Sequence, residues 1–143
     1  MIKKWPIYFN ERLWLVNPEK GFIGVATLWT PKEKIAPEMP SSVAVVGQLY
    51  TKAGIEYIVR NLWARPQVSC LVVCGRDDSG SGSALVEFFK KGMLDGQSKP
   101  FGSQIPGKDL LFFRRKVKLV NLIGESQPDK IARAVSQLKK QPA

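Results

Sequence analysis

Long apolar runs alternate along this chain with segments in which apolar residues recur at helical spacing. Continuous apolar runs such as "SVAVVGQLY" and "VSCLVVCG" are typical of strands covered on both faces. Segments such as "KAGIEYIVRNLWAR" repeat apolar residues every three or four positions, as amphipathic helices do. The predicted strands are 42–50, 68–75 and 117–123, and the predicted helices are 52–65, 83–93 and 127–140. This alternation predicts an α/β fold, a Rossmann-like three-layer sandwich with a mostly parallel central sheet.

The N-terminal part carries a different pattern. "LWLV" (13–16) and "GFIGVATLW" (21–29) are rich in β-forming residues, and the turn sequence "NPEKG" separates them. They are interpreted as a pair of strands, for which a hairpin is one possible arrangement. The prolines that follow exclude a regular helix, so this segment is expected to be a surface connection. The prediction is one domain (1–143), with N-terminal strands (1–30), a proline-rich connection (31–41) and an α/β core (42–140).

The charge balance favours anionic partners. The chain has 22 Lys and Arg residues against 12 Asp and Glu, a net charge of +10. No RNA-binding aromatic motif, zinc finger or basic zipper is present, so nucleic acid is not the expected partner. No apolar run approaches the roughly 20 residues of a membrane helix, and the N-terminus lacks the apolar core of a signal peptide. A cytoplasmic protein without a membrane span is expected.

The absence of histidine removes several kinds of site. It excludes a thiol–imidazole dyad, a Ser-His-Asp triad and a histidine-ligated metal. Cys70 and Cys74 lie on one face of a predicted strand, roughly 13 Å apart at ~3.3 Å per residue, which is too far for a disulfide. Both are expected to be buried. No catalytic group and no metal ligand is predicted, and the question of enzymatic activity stays open.

Two loops lie where α/β sheets bind ligands, beyond the carboxyl ends of the strands. They are "GQLYTKAG" (47–54) and "CGRDDSGSGS" (74–83). The second is rich in small residues and leads into a helix N-terminus, which suits a phosphate or another anion. It departs from G-x-G-x-x-G, because position 85 is Leu, and no Walker motif is present. A flexible strand-to-helix connection is the alternative interpretation.

Asp77 and Asp78 in this loop are poorly placed as a paired acid and base, since adjacent side chains on an extended backbone point in opposite directions. They would suit the hydroxyl or amide groups of a ligand. In the alternative, Asp77 pairs with Arg76 or a lysine, while Asp78 or Ser79 begins the cap of the next helix. The tryptophans (Trp5, Trp14, Trp29 and Trp63) are interpreted first as core or interface residues. Trp29 is also placed to line a cofactor cleft.

The order of motifs over about nine tenths of the chain resembles a known family. "WP" (5–6), "NPEKGFIGVATL" (17–28), "AGIEYIVRNLWARPQVSCLVVCG" (53–75), "GSALVEFFKKGM" (82–93), "PFGSQIPG" (100–107), "RRKVKLVNLIG" (114–124) and "DKIARAVSQLKK" (129–140) carry the likeness. The family that it resembles is the corrinoid-bearing subunit of tetrahydromethanopterin S-methyltransferase, an enzyme that passes a methyl group to coenzyme M. The resemblance implies a Rossmann-like domain that binds a cobamide at the carboxyl edge of its sheet.

Two departures accompany the resemblance. The family takes its lower cobalt ligand from a histidine in the loop after the "CG" strand, whereas this loop has no histidine and is about two residues shorter. The family also commonly has a C-terminal membrane anchor, whereas this chain stops at "KKQPA". We therefore expect a soluble, divergent relative in which the sodium-pumping methyl transfer is not inherited.

Three functions are compatible with these observations. The first is a corrinoid-binding or corrinoid-derived carrier domain that works without a histidine ligand and with a homodimeric or methyltransferase partner. The second is a domain of one-carbon or nucleotide metabolism that binds a pterin or a phosphorylated, anionic small molecule in the same cleft. The third is a basic, non-catalytic interaction module. The candidate cofactor-binding residues are Gly75, Asp77, Ser79, Gly80, Ser81 and Gly82, with Thr51, Gly54 and Gly102 nearby.

Overall fold

The computed structural model describes residues 13–51, 54–91 and 113–140. Within them the chain alternates between strands and helices, as the apolar pattern predicts. The strands are β1 (Trp14–Leu15), β2 (Ile23–Ala26), β3 (Val43–Gly47), β4 (Cys70–Gly75) and β5 (Lys118–Ile123). The helices are α1 (Lys32–Ile35), α2 (Gly54–Trp63), α3 (Ser81–Lys91) and α4 (Pro128–Ser136), with a 3₁₀ turn at Ala36–Glu38 and a helical turn at 113–116.

The five strands form one sheet in the order β1-β3-β2-β4-β5. β3, β2, β4 and β5 run parallel to one another, and only the short β1 pairs antiparallel, on the outer side of β3. Parallel neighbours need crossover connections, and the helices supply them. The predicted α/β fold with a mostly parallel sheet is confirmed.

Both faces of the sheet are covered, which explains why its strands read as continuous apolar runs. In β4, Leu71 and Val73 pack with α2 and α3, while Cys70, Val72 and Cys74 pack with α1 and α4. This alternation follows from the two-residue period of a strand. The result is the predicted three-layer arrangement of helices, sheet and helices.

The predicted N-terminal hairpin is wrong. β1 and β2 do not pair with each other, because β3 lies between them and pairs with both. Their spacing and the turn "NPEKG" are compatible with a hairpin, but β3 is a longer apolar strand. By pairing parallel to β2 it completes the covered centre of the sheet.

The proline-rich connection is also more regular than expected. Lys32–Ile35 form one helical turn directly after Pro31, and Ala36–Glu38 continue as a 3₁₀ turn. A proline before the first turn lacks only an N–H that would have no helical partner there, so it does not prevent a helix. Burial of Ile35 against the sheet stabilises this short turn.

Candidate functional site

The strand order creates a switch point between β2 and β4. The chain leaves β2 toward β3 on one side of the sheet, and later leaves β4 toward β5 on the other side. Crevices between the carboxyl ends of two such strands are where open α/β sheets bind ligands. The loops that follow β2, β3 and β4 meet at this edge.

Hydrogen bonds join the ends of β2 and β4 directly. The backbone N–H of Trp29 donates to the carbonyl oxygen of Arg76 (3.0 Å), and the N–H of Arg76 donates to Thr30 Oγ1 (3.1 Å). Thr30 Oγ1 also lies 3.1 Å from Ser126 Oγ, in the loop after β5. Hydrogen bonds thereby join the exits of β2, β4 and β5 to one another.

Gly75 has to be a glycine for this contact to form. Its φ is +84°, a conformation that side-chain-bearing residues rarely adopt. A Cβ there would overlap the carbonyl oxygen of Thr27 and lie 2.7 Å from Thr30 Oγ1. The close approach of the β2 and β4 exits depends on the missing side chain.

Asp77 caps the N-terminus of α3. Its Oδ1 accepts a hydrogen bond from the backbone N–H of Gly82 (2.9 Å), and its Oδ2 accepts from the N–H (3.0 Å) and the hydroxyl (3.1 Å) of Ser83. Partial burial raises the pKa of Asp77, but these bonds and one from the N–H of Gly80 outweigh it, so the pKa lies below its ordinary value. The positive end of α3 is thus neutralised by the chain's own carboxylate.

Asp78 takes the role that was assigned to Asp77 in the alternative interpretation. Its Oδ2 accepts a hydrogen bond from the Arg76 guanidinium at 2.8 Å, in an ion pair whose two side chains are 65% and 46% exposed. The predicted pairing of Asp77 with Arg76 and the predicted cap from Asp78 or Ser79 are therefore wrong. The two aspartates therefore bind different partners and do not form an acid–base pair with each other.

Ser79 and Ser81 attach the loop after β4 to the loop after β3. Ser79 Oγ donates to the carbonyl oxygen of Tyr50 (2.6 Å), and Ser81 Oγ donates to that of Leu49 (3.1 Å). The two hydroxyl oxygens lie 3.0 Å apart. Their donor capacity is used within the protein, which makes the pair a structural clamp between the two loops.

Two exposed aromatic residues lie next to these serines. Trp29 and Tyr50 are 37% and 45% exposed, and their rings meet edge to face with centroids 5.0 Å apart. The indole Nε1–H of Trp29 donates to Ser79 Oγ (3.2 Å). The core role first assigned to Trp29 is wrong, and its alternative role in lining a cofactor cleft stays a prediction.

The predicted site residues fall into three groups. Six of them lie at the end of β4, in the loop after it and in the first turn of α3: Gly75, Asp77, Ser79, Gly80, Ser81 and Gly82. Thr51 is exposed in the adjacent loop, and Gly54 is the first residue of α2, where a Cβ would lie 2.7 Å from Leu49 Cδ1. Gly102 lies outside the described residues. The ligand contacts proposed for these residues stay predictions.

Sequence reasoning placed Tyr50 and Arg76 within the two candidate loops without choosing them as site residues, and it missed Thr30 as part of this edge. Tyr50 is the last residue of a predicted strand and also lies within the loop 47–54, so its position alone could have indicated it. Thr30 and Arg76 act through contacts between segments 46 residues apart in the chain, which no local pattern reports.

Among the described residues, the thiols are buried and the acidic side chains form no metal site. Cys70 and Cys74 are buried in the sheet, as predicted. Burial raises the pKa of Cys74 to about 12, and the negative charge of the nearby Glu125 makes a smaller contribution in the same direction. Among the described residues no group of three Cys, Asp or Glu side chains could hold a metal ion. Across the same ranges the helices are too short or too polar to cross a bilayer.

Comparison with known proteins identifies the family. The family model for MtrA, a subunit of tetrahydromethanopterin S-methyltransferase, matches residues 1–143. The second forms of this subunit from Methanothermobacter thermautotrophicus and Methanothermobacter marburgensis are 28% and 26% identical, each match covering 93% of this chain and 76% of the relative. The first form from Methanobrevibacter ruminantium is 25% identical over 96% of this chain and 60% of its own length. The chain belongs to the MtrA family of tetrahydromethanopterin S-methyltransferase subunits.

Proposed function

We propose that the chain is a cofactor-binding α/β domain, related to the corrinoid-carrying methyltransferase subunit, that holds a corrinoid or a similar ligand at the carboxyl edge of its sheet. One observation carries the proposal. The exposed Trp29–Tyr50 pair lies at the switch point of the sheet, beside the hydrogen-bonded ends of β2, β4 and β5. Open α/β sheets bind ligands at such a point. Family membership supports the corrinoid as the first ligand to test.

The residues of the loop after β4 do not fit an axial cobalt ligand. The sequence contains no histidine. The Asp77 carboxylate caps α3, the Ser79 hydroxyl binds Tyr50, and the Asp78 carboxylate pairs with Arg76. A corrinoid would be held by contacts to its ring and its substituents, and no methyl-transfer step follows from these residues.

A pterin is the second candidate, and the aromatic pair supports it, because a pterin is also a flat heterocycle. The same site is less suited to a phosphorylated ligand. A phosphate at the N-terminus of α3 would compete with Asp77 for the N–H groups of Gly82 and Ser83. The proposed ligand is therefore recognised by its ring. A second copy of the chain or a methyltransferase protein is the proposed protein partner.

Titration with hydroxocobalamin tests the proposal. We expect heat of binding and a change in visible absorption. Amide hydrogen exchange should then slow in residues 27–30, 49–51 and 76–80, while the outer strand β1 serves as an internal control and should not change. Binding that slows exchange elsewhere, or no binding, would refute a corrinoid site at this edge. Binding to a polyanion that weakens steeply with salt would favour the basic interaction module instead.

A further inference from the structure

The polar side chains of the loop after β4 are not the ones most available to a ligand at the carboxyl edge. The polar groups of Asp77, Ser79 and Ser81 are engaged in contacts within the protein. The exposed residues along the edge include Trp29, Tyr50, Thr51, Arg76, Asp78 and Ser79, and Arg76 and Asp78 are paired to each other. Trp29 and Tyr50 are the aromatic residues among them.

The backbone presents Trp29 to solvent at a cost. Leu28 has φ +56°, an uncommon conformation for a residue with a bulky side chain. It places the Leu28 side chain fully in the core beside α3 and leaves the next residue, Trp29, 37% exposed. Strained backbone of this kind is a reason to look for function where it occurs.

Hydrogen bonds also connect both residues of the aromatic pair to Ser79. The indole N–H of Trp29 binds Ser79 Oγ, which in turn donates to the backbone carbonyl of Tyr50. One serine hydroxyl therefore connects the side chain of one aromatic residue to the main chain of the other. With its polar atom satisfied, the Trp29 ring offers an ordered apolar surface, which reduces the entropy lost on binding.

We propose that the Trp29–Tyr50 pair is the specificity-determining contact of this site, that it takes the flat face of a conjugated nitrogen heterocycle, and that Ser79 is the positioning residue that orients it. The inference rests on the proposed function, because it names the contacts of that same site. A ring bound by its face needs neither a free ligand for a metal nor an open anion site. Neither is offered by the described residues of the loop after β4.

Binding by variants tests this assignment, measured by isothermal titration calorimetry with hydroxocobalamin, folic acid and riboflavin as separate probes. The three probes distinguish a corrin, a pterin and an isoalloxazine ring. For the probe that binds, Trp29→Ala and Tyr50→Ala should each weaken the affinity at least about tenfold, whereas Trp29→Phe should weaken it about threefold. The matched control is Trp14→Ala, which removes an equally exposed tryptophan (38%) from β1 and should change the affinity by less than about twofold.

Ser79 needs a readout that separates positioning from general stability. Ser79→Ala should weaken binding about threefold and change the near-ultraviolet circular dichroism contributed by Trp29, obtained by subtracting the spectrum of Trp29→Phe. Ser79→Thr, which retains the hydroxyl, should restore both. If the wild type and Ser79→Ala bind the probe with equal affinity, Ser79 is not a positioning residue.

The outcomes separate the two proposals. If no probe binds the wild type, the proposed function fails and this inference fails with it. If the wild type binds but Trp29→Ala and Tyr50→Ala bind equally well, only the inference fails. If Trp29→Ala does not fold, the affinity of Tyr50→Ala for the probe tests the inference, because Tyr50 is exposed. If sedimentation shows a wild-type dimer that Tyr50→Ala dissociates, the pair is a dimer interface and the ligand assignment is overturned.

Discussion

The two central strands end side by side, and both end in a left-handed backbone conformation. At the end of β2 the residue is Leu28 (φ +56°), and at the end of β4 it is Gly75 (φ +84°). The Leu28 side chain is completely buried, whereas a side chain at Gly75 would collide with the β2 exit. The same conformation is therefore stabilised by packing in one strand and permitted by the lack of a side chain in the other.

Because of this difference, the β2 and β4 exits make different contributions to the edge of the sheet. The exit of β2 turns one apolar side chain inward and exposes the next, so it supplies the aromatic surface at Trp29. The exit of β4 keeps its backbone close to β2 and directs Asp77 to α3, so it supplies the rigid base. Substitutions at the two exits should separate these contributions.

The largest effect is expected for Gly75→Ala. The new methyl group would collide with the β2 exit, and alanine would be strained at this positive φ. Together these two effects should lower the free energy of unfolding by about 4 kcal/mol. Chemical denaturation measures the loss. A value no larger than that of Gly80→Ala would show that the two exits are not in close contact.

Leu28→Ala should follow, with a loss of about 3 kcal/mol, because it leaves a cavity between the sheet and the start of α3. Leu28→Gly provides the control. Glycine normally costs more than alanine, but at this φ it relieves strain, so it should cost no more than the alanine variant. If Leu28→Gly is clearly the less stable of the two, packing alone governs the β2 exit.

Asp77→Asn should lower the free energy of unfolding by about 1 kcal/mol at neutral pH, because an amide compensates the helix terminus less well than a carboxylate. The folded-state pKa of Asp77 is depressed, so its contribution is present above its unfolded-state pKa, about 3.9, and is lost as the pH falls through the folded-state value. Denaturation of both proteins from pH 7 to pH 2 should show the difference vanish at the acidic end. A difference independent of pH would contradict the capping role.

Gly80→Ala should lower the free energy of unfolding by a similarly small amount, about 1 kcal/mol. Gly80 has nearly the same φ (+81°) as Gly75, but a Cβ there would have no atom within 4 Å. The variant therefore measures the backbone strain alone, and subtracting its effect from that of Gly75→Ala gives the cost of crowding at the β4 exit. A much larger loss in Gly80→Ala would mean that strain, and not contact, explains both positions.

Most of the element pattern was predictable from sequence because it is encoded locally. The strands at 43–47 and 70–75 and the helices at 54–63 and 128–136 fall within the predicted segments, since apolar runs and helical spacing are properties of neighbouring residues. The helical turn after Pro31 escaped prediction, because burial of Ile35 outweighs a local composition that disfavours a helix.

The candidate site was predictable only as a location. The loop after β4 was identified from its small residues and from its place before a helix, but adjacent carboxylates are locally equivalent. Which of Asp77 and Asp78 reaches α3 depends on the path of the loop. In the same way Trp29 is indistinguishable in sequence from a core tryptophan, and only the backbone at Leu28 exposes it.

By itself the sequence determined the α/β alternation, the two-sided burial of the central strands, the lack of histidine chemistry and the family likeness. These depend on composition and on short-range periodicity. Only the tertiary structure decided that β3 lies between β1 and β2, that Asp77 occupies the N-terminus of α3 and that Trp29 meets Tyr50. These depend on strand order and on contacts between distant segments, which are selected by the packing of the whole sheet.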